Sequence, residues 1–201
     1  MSEQQSDPSP KGAEAAADGS TVAAPVEGGD AAVDASTGAF SFSPEREASF
    51  QEIVRRYPTA FSAIMPTLWL CQEEWGWLKP GVPEWVAERL EVPVARVYEI
   101  ITFYTMYYLE NPGKYNLQVC RNISCHLMGA QKIVSHCKKR LGIEVGQTDS
   151  DGLFRLEEAE CLGACGMGPM MQVGKHYYEN LTPDKVDALI ERWIEEAKGD
   201  G

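Results

Sequence analysis

The sequence has few cysteines, few basic residues and no long apolar run, and each shortage excludes a class of protein. Six cysteines in 201 residues are too few for a scaffold of this size that is held together by disulfides. No apolar segment approaches the roughly 20 residues of a membrane-spanning helix. The first residues lack the basic start and apolar centre of a signal peptide. We therefore expect a cytoplasmic protein with reduced thiols and no direct membrane insertion.

Positive charge is also scarce, since 18 lysines and arginines face 30 acidic residues and the net charge is −12. Binding to nucleic acid needs a basic face, so we expect none. The first 40 residues carry seven acidic side chains and one lysine, Lys11, among many Ala, Gly, Ser and Pro residues. A segment of this composition buries too little apolar surface to offset the entropy of ordering. It predicts a disordered acidic tail over residues 1–42, and its acidity excludes a transit peptide.

Residues 43–112 have apolar side chains at helical spacing and predict an all-helical domain. The Ser43-Pro44 pair is typical of a helix start, and Pro58 ends that first helix. A second helix is predicted over Ala60–Trp75, and its buried face is predicted to be Phe61, Ile64, Met65, Leu68 and Trp69. The other two predicted helices cover Glu84–Leu90 and Pro93–Leu109.

Residues 113–198 change to a mixed rhythm of strands and helices. Alternating apolar residues predict a strand that ends at Cys120. The other predicted elements are a helix over 127–141, a short strand near Glu144-Val145, a strand over 153–157, a hairpin of 170–173 with 176–178, and a helix after Thr182-Pro183. This order fits a three-layer, thioredoxin-like α/β domain. The predicted fold class is α+β, with an N-terminal helical bundle before the thioredoxin-like domain.

The six cysteines fall into two groups. Cys71 and Cys137 lie in apolar helical stretches and are most simply buried small hydrophobic residues. The other four form a C-x4-C pair and a C-x3-C pair, each beginning where a predicted strand ends; they are Cys120 with Cys125 and Cys161 with Cys165. If the two strands are neighbours in one sheet, four thiolates can converge there and hold a metal.

Several kinds of cysteine site remain open at this point. Structural zinc accepts such spacings, and a dithiol–disulfide switch is a further alternative, although no C-x-x-C is present. A Rieske centre is excluded, because none of the three histidines stands in a paired arrangement with cysteine. Glycines at 163, 166 and 168 leave room and close amides for bridging sulfides. They favour a 2Fe–2S cluster over zinc.

Four segments carry a resemblance to a known family: CRNISCH (120–126), DGLF (151–154), CLGACGMGP (161–169) and TFY (102–104). They resemble the 2Fe–2S family that contains the E subunit of NADH-quinone oxidoreductase, or respiratory complex I. The resemblance covers about residues 43–197. Arg155 departs from the small hydroxyl residue usual in the family, so we expect altered local contacts near the cluster.

The resemblance implies a function and a partner. Cys120, Cys125, Cys161 and Cys165 would be the ligands of one 2Fe–2S cluster of low potential, close to the flavin of an NADH-oxidising partner subunit. FMN and NADH would bind only in that partner, and no G-x-G-x-x-G follows a strand in this sequence. The chain would then be an electron-transport component of a quinone-reducing translocase, inactive alone. It would attach to the inner membrane only peripherally, through the complex.

Two alternatives are kept beside this prediction. The same module resembles diaphorase subunits of NAD-linked hydrogenases and formate dehydrogenases. A zinc-stabilised adaptor without redox function is the second. We also expect a permanent interface on the helical half, where apolar and aromatic residues exceed what one helix face can bury. The residues expected there are Val97, Tyr98, Ile101, Tyr104, Met106, Tyr107 and Tyr108.

Overall fold

Two hydrophobic clusters, one helical and one mixed, organise the structure. The computed structural model describes residues 40–199. The predicted tail over 1–42 lies outside the described residues except at its end, where Phe40 and Phe42 pack against Trp75 with ring centroids 5.0 and 5.4 Å away. Aromatic side chains therefore cover the helical cluster just before the first helix begins.

The helical half contains α1 (Pro44–Arg56), α2 (Ile64–Trp75), α3 (Val82–Leu90) and α4 (Val94–Phe103). The predicted start of α1 is confirmed: Pro44 is at its first position, and the Ser43 side chain accepts a hydrogen bond from the Arg46 amide. The residues buried at the centre include Phe50, Leu68, Cys71, Trp75, Val86 and Val97.

The burial predicted for Phe61 and Trp69 on the second helix is wrong. Phe61 belongs to a short 3₁₀ turn, Phe61–Ala63, before α2, and its ring is exposed. Trp69 is also exposed, and its indole N–H donates to Glu73 at 3.0 Å. Ile64 and Leu68 are buried as predicted, and Trp75 completes the buried face.

The predicted helix over Pro93–Leu109 ends early, at Phe103. The buried amide of Gln72 explains this end, because it bonds to the backbone of the following turn. Its Nε2 donates to the Met106 carbonyl at 2.8 Å, and its Oε1 accepts from the Tyr108 amide at 2.9 Å. These bonds satisfy backbone groups that a continued helix would have paired internally.

The second half begins after Gly113 and contains a four-stranded sheet. Its elements are β1 (Tyr115–Cys120), α5 (Ile123–Leu127), α6 (Ala130–Leu141), β2 (Phe154–Ala159), β3 (Met171–Val173), β4 (His176–Tyr178) and α7 (Pro183–Gly199). The strand order is β2-β1-β3-β4, in which β1 and β2 are parallel and the others antiparallel. The hairpin and the strand ending at Cys120 are confirmed.

This half has two layers, not the expected three. Helices α6 and α7 lie side by side, joined by His136–Asp187 and Arg140–Glu191 pairs, and share one core with the sheet. Trp193 of α7 stacks on Tyr115 of β1 with centroids 5.3 Å apart. The opposite sheet face is polar, and part of it contacts Tyr108, so a second helical layer has no apolar surface to cover.

Two further predictions for this half are corrected. The helix expected over 127–141 is split at Gly129, whose φ of 99° is left-handed, and Leu127 is exposed at the end of α5. No strand forms at Glu144-Val145. Thr148 makes an isolated bridge to Arg155 instead.

Candidate metal centre

Cys120, Cys125, Cys161 and Cys165 lie at one edge of the sheet, the first two in its hydrophobic core cluster and the other two exposed. Strands β1 and β2 are parallel, with Cys120 opposite Ala159 at their carboxyl ends. The loops that follow β1 and β2 therefore leave the sheet at the same edge. This is the arrangement that the two cysteine pairs need in order to lie together. Cys120 is the last residue of β1, and Cys161 comes two residues after β2 ends.

The thiols neighbour one another in pairs. Cys120 forms hydrogen bonds with Cys125 and with Cys161, and Cys125 is close enough to Cys165 to feel its charge. The first pair is buried, with Cys120 3 % and Cys125 1 % exposed, whereas Cys161 and Cys165 are exposed. One side of the site therefore faces the protein interior and the other faces the surface.

Backbone amides point at the sulfurs. Burial alone would raise the pKa of Cys120, but hydrogen bonds from the Asn122 and Leu162 amides, with those to Cys125 and Cys161, lower the pKa overall. Burial and the neighbouring Cys120 raise the pKa of Cys125 to about 11, although the Met170 amide opposes the change. Such amides stabilise negative charge on sulfur, which a thiolate ligand needs.

Glycines shape the loop that carries the second cysteine pair. The Gly163 amide donates to the Cys161 sulfur at 3.4 Å, and its φ of 79° favours glycine. At Gly168 a Cβ atom would lie 3.2 Å from the Cys125 sulfur. Any side chain at Gly168 would therefore crowd a candidate ligand.

The donor set is four thiols, which both structural zinc and a 2Fe–2S cluster accept. Within residues 40–199, no three histidine, cysteine or carboxylate side chains are grouped so that they would hold one metal ion. Zinc needs four ligands around one point, whereas a 2Fe–2S cluster spreads four cysteines over two irons.

The remaining cysteines are placed as predicted. Cys71 and Cys137 are fully buried, one in each hydrophobic cluster. Burial raises the pKa of both thiols, that of Cys137 to about 12. Neither belongs to the site, and both serve as small apolar side chains.

One other residue singled out in the sequence, Arg155, makes its side-chain contacts with residues other than the cysteines. Arg155 is four residues before the end of β2, where its guanidinium donates to Glu157 at 2.8 Å and to Thr148 at 3.1 Å. The expected effect of Arg155 on contacts near the cysteines is therefore not observed.

A model of the thioredoxin-like [2Fe-2S] ferredoxin family matches residues 50–194 of this sequence, which is more than half of the chain. The chain belongs to this family. As a member of the thioredoxin-like [2Fe-2S] ferredoxins it carries one 2Fe–2S cluster, and the predicted fold class is confirmed.

Several relatives of this chain are named as E subunits of NADH-quinone oxidoreductase, which the sequence resembles. The NADH-quinone oxidoreductase E 2 subunit of Rhizobium meliloti (strain 1021) is 48 % identical over 136 residues, which are 68 % of this chain and 81 % of the relative. The E subunit of the same oxidoreductase in Rickettsia felis is 41 % identical over 162 residues, covering 79 % and 97 %. The E subunit of Rickettsia bellii is 42 % identical over 156 residues, covering 76 % and 93 %.

Solved structures support the fold alone. The ferredoxin resembles chains of an NAD⁺-reducing [NiFe]-hydrogenase in its air-oxidised and H2-reduced states, with TM-scores of 0.58 and 0.61 and identities of 17 % and 18 %. The similarity covers 68 % and 69 % of this chain but only 23 % of each hydrogenase chain. It shows that a domain of this shape occurs within larger redox proteins.

The ferredoxin has two features at its site that sequence reasoning missed. Tyr177 of β4 donates its hydroxyl hydrogen to the Leu162 carbonyl at 2.7 Å, 15 residues away, and no local pattern indicates such a contact. Around the cysteines, Ile123 and Leu127 are 72 % and 79 % exposed, and Met128 and Met167 are exposed too. Apolar residues on both sides of Cys125, in a five-residue helix whose one buried residue is Cys125, were a signal for this patch.

Proposed function

We propose that this chain is the iron–sulfur electron-transfer subunit of an NADH-quinone oxidoreductase. Its 2Fe–2S cluster would be held by Cys120, Cys125, Cys161 and Cys165. The observation that carries the proposal is that the two cysteine pairs lie together where β1 and β2 end. Backbone amides donate hydrogen bonds to three of the sulfurs, those of Cys120, Cys125 and Cys161. Relatives named as E subunits of that oxidoreductase, at 41–48 % identity, support the same function.

The buried and the exposed cysteine pairs would bind opposite sides of the cluster. Buried Cys120 and Cys125 anchor one side of the cluster in the protein, while exposed Cys161 and Cys165 keep the other side at the surface. When bound, the cluster supplies one-electron transfer. Because electron tunnelling weakens steeply with distance, a redox partner must approach this exposed side. The amides directed at sulfur hold the negative charge of the thiolates in place.

The partner proposed here is a flavin-bearing subunit that oxidises NADH, with FMN and NADH bound only in that subunit. The exposed apolar residues around the site, Ile123, Leu127, Met128 and Met167, support docking at the cysteine loops. A patch rich in methionine and aliphatic residues without charge is typical of the centre of an interface.

We further propose that the chain reaches the inner membrane only through the other subunits of the complex, on the cytoplasmic side. Among the described residues, none of the helices is both long enough and apolar enough to span a bilayer. Attachment would therefore depend on protein–protein contacts.

The test is to assemble the cluster anaerobically on the purified chain from ferrous iron and sulfide. We expect a red-brown protein that does not oxidise NADH until a flavin-bearing partner subunit is added. A colourless protein that holds zinc would instead support the adaptor alternative. NADH oxidation by the chain alone would contradict the proposal.

The hydrogenase and formate dehydrogenase alternatives need a different test, because they share the cluster. Affinity purification of the tagged full chain from its native host, followed by mass spectrometry, identifies the neighbouring subunits. We expect quinone-reductase subunits. Recovery of a nickel-containing or formate-oxidising subunit would show that the chain belongs to a hydrogenase or a formate dehydrogenase instead.

A further inference from the structure

Tyr177 touches the ligand loop from outside it. The side chain stands on β4, with about half of its surface exposed, and its hydroxyl donates to the Leu162 carbonyl at 2.7 Å. Leu162 lies between the cysteines of the second pair, next to Cys161. Among the described residues, Leu162 is the only one that accepts a hydrogen bond from the Tyr177 hydroxyl.

The carbonyl that Tyr177 binds belongs to the same peptide unit as the Gly163 amide. That amide donates to the Cys161 sulfur at 3.4 Å. A continuous chain of hydrogen bonds thus runs from the Tyr177 hydroxyl through the peptide to the sulfur. Glycine at 163, with φ of 79°, allows the backbone to turn this peptide toward Cys161.

Leu162 also links the two cysteine pairs. Its own amide donates to Cys120, while its carbonyl accepts from Tyr177. A restraint on Leu162 therefore acts on the environment of one buried and one exposed thiol. Both peptide units on either side of Leu162 direct an N–H at a sulfur.

We propose that Tyr177 is a positioning residue that raises the reduction potential of the cluster by orienting the Gly163 amide toward Cys161. The proposal rests on the proposed function, since it needs a 2Fe–2S cluster bound by Cys161. On reduction the cluster takes one electron, from reduced flavin in the complex or from dithionite in a titration, and one ferric iron becomes ferrous. The added negative charge is shared with the ligand sulfurs.

The direction of the effect follows from electrostatics. An N–H that points at a ligand sulfur stabilises the more negative, reduced state, so it raises the potential. Hydrogen bonds in a chain polarise one another, and the Tyr177 bond therefore strengthens the N–H donor at its far end. Without the hydroxyl, a water molecule would donate to the Leu162 carbonyl, but water would not hold the peptide in one orientation.

The test compares full-length Tyr177→Phe with the wild-type chain, each carrying an assembled cluster, in dithionite titrations followed by visible absorption and EPR. We expect the midpoint to become more negative, with the equilibrium constant for reduction falling about threefold, or about 28 mV at 59 mV per tenfold for one electron. Tyr57→Phe, which removes an exposed tyrosine hydroxyl at the end of α1, is the matched control and should leave the midpoint unchanged.

A second variant separates positioning from packing. Gly163→Ala adds a methyl group into open space but strains the left-handed backbone, so it should lower the midpoint in the same direction without a steric clash. Both variants should also shift the iron–sulfur stretching frequencies in resonance Raman spectra, which a remote loss of stability would not do.

The outcomes separate this inference from the proposed function. A normal cluster with an unchanged midpoint and Raman spectrum in Tyr177→Phe overturns the inference and leaves the proposed function standing. A wild-type chain that assembles no cluster overturns both. If Tyr177→Phe fails to keep its cluster, the Gly163→Ala midpoint decides, and an unchanged value there overturns the inference.

Discussion

The two kinds of cysteine in this chain have opposite surroundings. Cys71 and Cys137 lie in apolar cores, where burial raises the pKa of each thiol and keeps it protonated. At the sheet edge, burial raises the pKa of Cys120, but hydrogen bonds from the Asn122 and Leu162 amides and with Cys125 and Cys161 together lower the pKa. The same side chain is thus a packing residue in one place and a prospective thiolate ligand in the other.

Replacing any one of Cys120, Cys125, Cys161 or Cys165 by serine should remove the cluster or visibly alter its spectrum, because a hydroxyl is a poor substitute for a thiolate on iron. Cys71→Ser and Cys137→Ser are the matched controls and should keep a normal spectrum at some cost in stability. Visible absorption and EPR of the assembled proteins measure the difference. A normal spectrum in Cys161→Ser would remove it from the ligand set.

The Tyr108 side chain joins the two halves of the molecule through hydrogen bonds. Its hydroxyl accepts from Asn116 at 3.1 Å and from Gln118 at 3.2 Å, both on the polar face of β1. Its carbonyl accepts from the Leu78 amide at 2.8 Å, which fixes the residue to the helical half. Burial raises the pKa of this hydroxyl, so it remains neutral at physiological pH.

We expect Tyr108→Phe to lower the free energy of unfolding by about 1 kcal/mol, since Asn116 and Gln118 lose an acceptor but keep Glu157. Urea denaturation followed by fluorescence measures the change. Tyr104→Phe, at an exposed position, should change stability little. Equal stability of both variants would show that the Tyr108 hydroxyl contributes nothing to the contact between the halves.

Among the elements, α5 and the turn after α4 present apolar side chains to solvent. The sequence placed the interface on a longer α4, but Val97, Ile101 and Tyr107 are buried inside the chain, and the Tyr107 hydroxyl donates to the Met65 carbonyl at 2.9 Å. The exposed apolar residues after correction are Tyr98, Phe103, Tyr104, Met106 and Leu109 near α4 and Ile123, Leu127 and Met128 near α5. Charge at Tyr107 would therefore damage folding before it tested any interface.

Leu127→Glu should weaken binding to a flavin-bearing partner about tenfold or more while leaving the melting temperature nearly unchanged, because a side chain that is 79 % exposed has little packing to lose. Pull-down or interferometry with the partner subunit measures the affinity. Val54→Glu, also exposed but on α1, is the control surface position. Loss of binding in both variants would indicate a general charge effect rather than a docking site at the cysteine loops.

For the molecule as a whole, a few polar contacts hold the sheet against the helical half. Besides Tyr108, Lys175 of the hairpin pairs with Glu73 of α2 at 3.6 Å. Glu73 also accepts from Arg46 at 2.9 Å, which links α1 to the same group. Ion pairs of this exposed kind contribute little individually, so Tyr108 is the stronger of the links.

Deleting residues 1–39 should leave cluster content and melting temperature nearly unchanged, as the acidic composition of that segment predicts. Deleting 1–42 should cost about 2 kcal/mol and lower the melting temperature by roughly 4–8 °C, because Phe40 and Phe42 pack on Trp75. Calorimetry of both truncated chains measures the difference. A large loss in the shorter deletion would show that residues before Phe40 stabilise the fold.

Local features of the sequence were enough to predict most elements and the four candidate ligands. Alternation in Tyr115–Cys120, the Ser43-Pro44 start of α1 and the Gly174-Lys175 turn act over a few residues, so their consequences are readable in order along the chain. The cysteine spacing and its glycines are local in the same way. They indicated a metal site before any strand pairing was known.

Only the tertiary structure decided how far α4 runs, which residues are exposed, and what surrounds each sulfur. Gln72 binds the backbone of Met106 and Tyr108, which follow α4 and are 34 and 36 residues away in sequence, and Tyr177 binds Leu162 across 15 residues. Whether two predicted strands are neighbours, and on which face helices α6 and α7 lie, also depends on pairing between distant segments. Contacts of this kind leave no periodic pattern, because they depend on where the folded chain brings side chains together and not on the order of neighbouring residues.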